Sequence, residues 1–194
     1  MNNNRSKTRV LTGMALFTAI VVVLQLLGTF IRFGPFAISL VLIPIVVGAA
    51  MYGVLAGTWL GFVFGAAVLL SGDAAAFLPI SVFGTALTVL AKGTLAGLCA
   101  GLVYRLFEKK NRYAAVIAAA VVCPVVNTGV FLLGCLAFFM ETISGWAAAS
   151  GFANAGSYLV VGMVGLNFLV EMAIDIIMAP VVLRIINLGK KGKA

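Results

Sequence analysis

Long apolar runs, marked off from one another by basic residues, constrain this chain more than any other feature. Arg5, Lys7 and Arg9 precede the first run. Arg105, Lys109, Lys110 and Arg112 fall between the fourth and fifth, and Arg184, Lys190, Lys191 and Lys193 follow the last. Of the 13 lysines and arginines, only Arg32 and Lys92 stand apart from these groups. Cytoplasmic loops carry the basic excess in membrane proteins. The three groups therefore belong on one side of a bilayer, with an even number of crossings between them. The expected fold is an all-α membrane protein with six transmembrane helices and both termini cytoplasmic. The net charge of +8 is read as a topological signal, with membrane lipid as the surrounding partner and no nucleic acid.

Composition supports lipid as the solvent. The chain is 63% hydrophobic and 9% charged, with a mean hydropathy of +1.21. A soluble domain carries about 25% charged residues, and 194 residues cannot hide this much apolar surface from water. A spanning helix takes ~20 apolar residues, so six helices with short loops account for the length. The expected location is a cell membrane. There is no histidine and no Gly-rich Walker sequence, so ATP hydrolysis by this chain is not expected. Cys99, Cys123 and Cys135 lie within apolar runs without metal-ligand or redox spacing and read as packing residues. No enzyme activity, cofactor or metal is expected. The first run is too long for the core of a signal peptide and lacks a small-x-small cleavage site after it, so it is read as a membrane helix.

The organisation expected is a cytoplasmic tail over 1–9, one membrane domain over 10–187, and a basic cytoplasmic tail over 188–194. The six helices are placed at about 10–29, 37–51, 55–70, 77–107, 113–140 and 158–187. Helix 2 contains Pro44 and is short for a crossing, so it reads as tilted or partly re-entrant. Gly34-Pro35 breaks the link before it, and Glu141–Ser157 is the longest outer loop. No half-chain repeat of the kind found in inverted-repeat carriers is visible.

Several residues stand out against the apolar background. Gly53, Gly57, Gly61 and Gly65 recur every fourth residue, as do Gly93, Gly97 and Gly101. In lipid, such spacing allows close backbone approach, either between the chain's own helices or toward a partner. Polar groups within membrane helices are costly and mark sites or pathways. Lys92 is near the middle of helix 4 and Asn127 near the middle of helix 5. Asn167, Glu171 and Asp175 share one face of helix 6 at i, i+4 and i+8. Lys92 with Glu171 or Asp175 is the natural charge pair, either holding helices together or touching a polar solute. Gln25 and Thr88 read as bonded to neighbouring helices. On the outer side, Phe30, Phe33 and Phe36 flank Arg32, and Trp146 and Phe152 lie in the last loop. They form either an interfacial aromatic belt or lids over a pocket.

Three stretches carry a resemblance to a known family. They are the pair Ala15 and Ala19 on helix 1, the run from Ile38 to Ala49 followed by Tyr52-Gly53-Val54-Leu55-Ala56-Gly57, and Lys92-Gly93-Thr94-Leu95-Ala96-Gly97 at the close of helix 4. With the length and six-helix topology, the chain resembles the substrate-binding S component of an energy-coupling factor (ECF) vitamin transporter. The resemblance implies high-affinity binding of a vitamin-like small molecule near the outer surface, by outer loops and helices 4–6. It implies as partners a transmembrane coupling protein and two cytoplasmic ATPase subunits, and a toppling motion that carries the solute inward. It assigns Ala15 and Ala19 to the face that meets the coupling protein. Many family members have Pro where Val54 stands here, which leaves the subfamily open. The expected substrate contacts are Arg32, Lys92, Asn127, Trp146, Asn167 and Glu171. The cations Arg32 and Lys92 favour a carboxylate such as pantothenate, with riboflavin and folate as alternatives. A membrane scaffold or a small autonomous carrier are the competing readings.

Overall fold

The computed structural model describes residues 2–30, 32–33, 36–37 and 39–191, with side chains for 7–30 and 39–189. Among the described residues, eight helices follow one another: α1 (Asn2–Gly28), α2 (Leu42–Tyr52), α3 (Val54–Leu70), α4 (Val82–Phe107), α5 (Arg112–Phe138), α6 (Met140–Ala149), the single turn α7 (Ala155–Ser157) and α8 (Leu166–Lys191). A two-stranded hairpin, β1 (Arg32–Phe33) with β2 (Phe36–Ala37), precedes α2. A π-helical segment, Tyr158–Gly165, leads into α8.

Among the described residues, three helices are long and apolar enough to cross a membrane by themselves: Lys7–Gly28 within α1, then α4 and α5. The shorter α2 and α3 are also apolar. At 1.5 Å per residue, α2 reaches only ~16 Å, about half of the hydrocarbon thickness. Exposed apolar side chains cover the outside of the bundle, among them Leu16, Leu55, Phe83, Leu133 and Ile177. A surface of that kind is stable in lipid and not in water.

The glycine ladders decide how the centre packs. A Cβ on Gly61 would collide with the carbonyl oxygen of Gly93, and one on Gly93 with that of Gly61. Gly57 and Gly97 stand in the same reciprocal relation, and Gly65 faces the Val89 carbonyl. As residue numbers rise along α3 they fall along α4, so the two helices are antiparallel with their backbones in contact. This internal contact, the most extensive between elements, takes up both ladders. Gly53 is not part of it. Its φ of 99° lies in the left-handed region open to glycine, and it forms the sharp corner between α2 and α3.

Other contacts set the remaining directions. Thr88 fills the space beside Gly134, and Phe138 the space beside Gly84, so α4 and α5 are antiparallel. Ser39 meets Glu171, and Met51 meets Gly189, so α2 runs parallel to α8. One pole of the bundle then carries the start of α1, the Gly53 corner, the 108–111 turn and the end of α8. The other carries the hairpin, the 71–80 turns, α6 and the π segment.

The boundaries depart from expectation in four places. α1 starts at Asn2, so the basic segment expected as a tail is already helical. α4 begins only at Val82, because 71–80 form successive turns and Ser81 caps the helix by accepting the Gly84 N–H at 3.0 Å. α2 starts five residues later than expected, after the hairpin. The segment expected as the longest outer loop contains α6, which buries Ala147 and sets Ile143 in a cluster with Phe77 and Phe139.

Candidate solute-binding site

A cavity of about 80 Å³ opens at the pole opposite the basic residues, between α4, α5 and α8. α4 contributes Val89 and Lys92, one turn apart. α5 contributes Asn127 and Phe131 at i, i+4, with Thr128 beside them. α8 contributes Asn167 and Glu171 at the same spacing, with Phe168. The helical repeat thus puts each pair on one face. The π segment adds Met163 and Val164, its wider turn bringing them to the wall just before Asn167. Asp73, Ala74 and Phe77 from the turns, Val68 and Ser39 complete the lining.

Four of the six expected contacts, Lys92, Asn127, Asn167 and Glu171, therefore converge on one cavity. The Lys92 ammonium lies 5.6 Å from the ring centre of Phe64 and 5.4 Å from that of Phe131. Both distances are within cation–π range. Glu171 accepts the backbone N–H of Ser39 through Oε1 at 2.8 Å. Among the described residues, Lys92 and Glu171 do not close a salt bridge, contrary to the natural pairing. Each has other company: aromatic faces for the ammonium, and a backbone donor for one carboxylate oxygen. Glu171 thereby ties the chain just after the hairpin to α8. Asn127 is 5% exposed, and its Oδ1 has no hydrogen-bond partner among the described residues. Asp175, one turn further along α8, is also buried, but it does not line the cavity.

Trp146 reaches the cavity only through an intermediary. Its ring packs against Phe77 at 5.6 Å, edge to face, and Phe77 in turn contacts Phe131 at 5.8 Å. Arg32 pairs through its backbone with Ala37 in the hairpin, and its side chain lies outside the described residues, as do those of Phe33 and Phe36.

Sequence reading did not single out Ser39, Phe77, Phe131 or Phe168 as site residues. Phe131 was within reach, one turn from Asn127 on the same face. Ser39 and Phe77 sit in irregular backbone, where no periodicity points to a partner. Gln25 behaves as expected of a polar residue bonded to a neighbour. It is 3% exposed and donates through Nε2 to Asp73 Oδ2 at 2.9 Å and to Ser71 Oγ at 3.4 Å. That bond holds the Asp73 wall of the cavity to α1.

On the far side of α1, Ala15 and Ala19 are both exposed, so this small-residue face is not used for packing within the chain.

Polar side chains from three helices thus converge on one open-sided cavity in a bundle whose outer surface is apolar, the arrangement of a helical membrane protein with an internal polar pocket. The family is specific: residues 9–183 match the model of the ECF transporter substrate-specific component, and the chain belongs to that family. It is a substrate-specific transport subunit. A search among curated proteins found no match.

Proposed function

We propose that the chain is the high-affinity binding subunit of an ECF-type importer for a vitamin or related micronutrient, and that the α4–α5–α8 cavity is where the nutrient sits. The observation that carries this is the convergence of Lys92, Asn127, Asn167 and Glu171 on one apolar-walled space. A ligand site needs only a few placed polar groups in such a wall. A drug-sized ligand needs ~300 Å³ or more, so filling the site requires its wall to widen, with the 71–80 turns as the part outside the long helices.

The accompanying topology is six crossings with both termini in the cytoplasm of a bacterial plasma membrane. The support is that the basic residues gather at the pole opposite the cavity, which therefore opens outward. Ala15 and Ala19 meet a transmembrane coupling protein, which two cytoplasmic ATPases drive. Their exposure supports that reading. The scaffold reading loses its motive, because both glycine ladders are spent on the α3–α4 contact.

Lys92 keeps a carboxylate ligand such as pantothenate first among compounds to test. Glu171 and Asp73 in the same wall keep riboflavin and folate beside it.

The test is native mass spectrometry of the purified subunit offered these nutrients, together with the double variant Lys92→Met, Glu171→Gln. A retained nutrient lost in the double variant is the expected result. Nutrient binding unchanged in a folded double variant would move the site toward the outer loops.

A further inference from the structure

We infer that the solute of this cavity donates a hydrogen bond from an N–H or O–H group to Asn127 while presenting an acceptor or anionic group to Lys92. The inference rests on the binding role proposed above and assigns the chemistry of the ligand.

The two halves of the requirement come from different helices. On α5, Asn127 lines the cavity with its carbonyl oxygen buried and lacking a partner among the described residues. A buried amide oxygen without a donor is costly. Apolar contact cannot relieve that cost, so the missing donor is supplied by what fills the cavity. On α4, Lys92 brings three N–H donors to the cavity, with the faces of Phe64 and Phe131 beside its ammonium and the carboxylates of Glu171 and Asp73 in the same wall but closing no salt bridge with it among the described residues. Those faces favour a cation but take no directed hydrogen bond as strong as an oxygen would. The Lys92 ammonium lies against Phe131, one turn from Asn127 on α5, so both positions fall on one wall within reach of a single ligand.

The consequence is selectivity. A plain carboxylate with an alkyl tail satisfies Lys92 and leaves the Asn127 oxygen buried and unpaired. A site built to hydrogen-bond a ligand group rejects analogues that lack it far more strongly than an apolar pocket rejects a changed methylene. The cavity therefore takes a solute that carries both a donor and an acceptor, with a hydroxyl, amide or ring N–H near a carbonyl or carboxylate, and excludes fatty acids.

The experiment uses the full chain, purified in detergent and exposed to the small-molecule fraction of yeast extract. Retained solutes are washed, released and identified by mass spectrometry. Wild type is compared with Asn127→Leu and Asn127→Ala, which remove the acceptor, and with Asn127→Asp, which keeps an oxygen at both amide positions. Size-exclusion profiles report folding. The expected result is a retained solute carrying both a donor and an acceptor group. Its retention falls roughly tenfold or more in whichever deletion variant is folded and stays closer to wild type in Asn127→Asp. Equal retention by a folded deletion variant, a retained solute without any N–H or O–H, or an Asp variant as weak as the deletions would each overturn the donor assignment and leave the binding role standing. If wild type retains no solute, the binding role falls, and this inference falls with it.

Discussion

Replacing Gly61 by alanine tests the packing that holds the binding helices in place. The added methyl would overlap the carbonyl oxygen of Gly93, which belongs to the backbone of α4 and has no rotamer by which to give way. The only relief is separation of α3 from α4 along their closest line of approach. Overpacking of this kind costs about 1–3 kcal/mol. The intrinsic gain of alanine over glycine in a helix, ~1 kcal/mol, works in the other direction and does not cancel the upper part of that range. Gly129 supplies the control. It lies in mid-α5, and nothing stands within 4 Å of where its Cβ would be, so Gly129→Ala keeps the propensity gain without the clash. One kcal/mol shifts Tm by roughly 2–4 °C for a chain of this size. Thermal unfolding in detergent, followed by tryptophan fluorescence, is expected to show Gly61→Ala lowered by several degrees and Gly129→Ala unchanged or slightly raised. Because Gly61 and Gly93 obstruct each other's methyl groups, Gly61→Ala with Gly93→Ala is expected to be worse than either alone. Equal melting of the two single variants would mean that α3 and α4 do not touch at these glycines, and the assignment of the ladders to internal packing would be wrong.

Three further outcomes are expected. Ala15→Trp with Ala19→Trp abolishes uptake by whole cells and assembly with the coupling protein, while solute binding by the isolated subunit survives; loss of binding with intact assembly refutes the face. Gln25→Leu removes the bond to the Asp73 carboxylate and lowers stability by about 1.5–3 kcal/mol, the range for a hydrogen bond to a charged group; a melting curve superimposable on wild type shows that the link is not formed. A cysteine placed at Ser150, exposed at the end of α6, reacts with impermeant maleimide from outside intact cells in a background free of native cysteines. Labelling from the inside only would invert the topology.

Much of this protein was legible in one dimension. The grouping of basic residues, the apolar runs between them and the i, i+4 spacing of Asn167 and Glu171 are local patterns, and local patterns decide which segments become helices and which faces are polar. The glycine spacing likewise announced a close helix contact. It did not say with what, because small-residue faces look the same whether they meet a neighbour or a partner. Only the packed bundle showed Gly61 on Gly93, while leaving Ala15 and Ala19 bare.

The site divides the same way. Lys92, Asn127, Asn167 and Glu171 stood out because each polar group in lipid needs a reason. Whether they share one wall depends on the rotation and depth of three helices, and those are set by side-chain interlocking far along the chain. Ser39 and Asp73 join them through turns, and Glu171 takes a backbone partner 132 residues away rather than the lysine opposite. The hydrophobic pattern placed the chain in the membrane. The tertiary structure alone chose which polar groups meet, because each helix offers many possible neighbours and only the packed register selects among them.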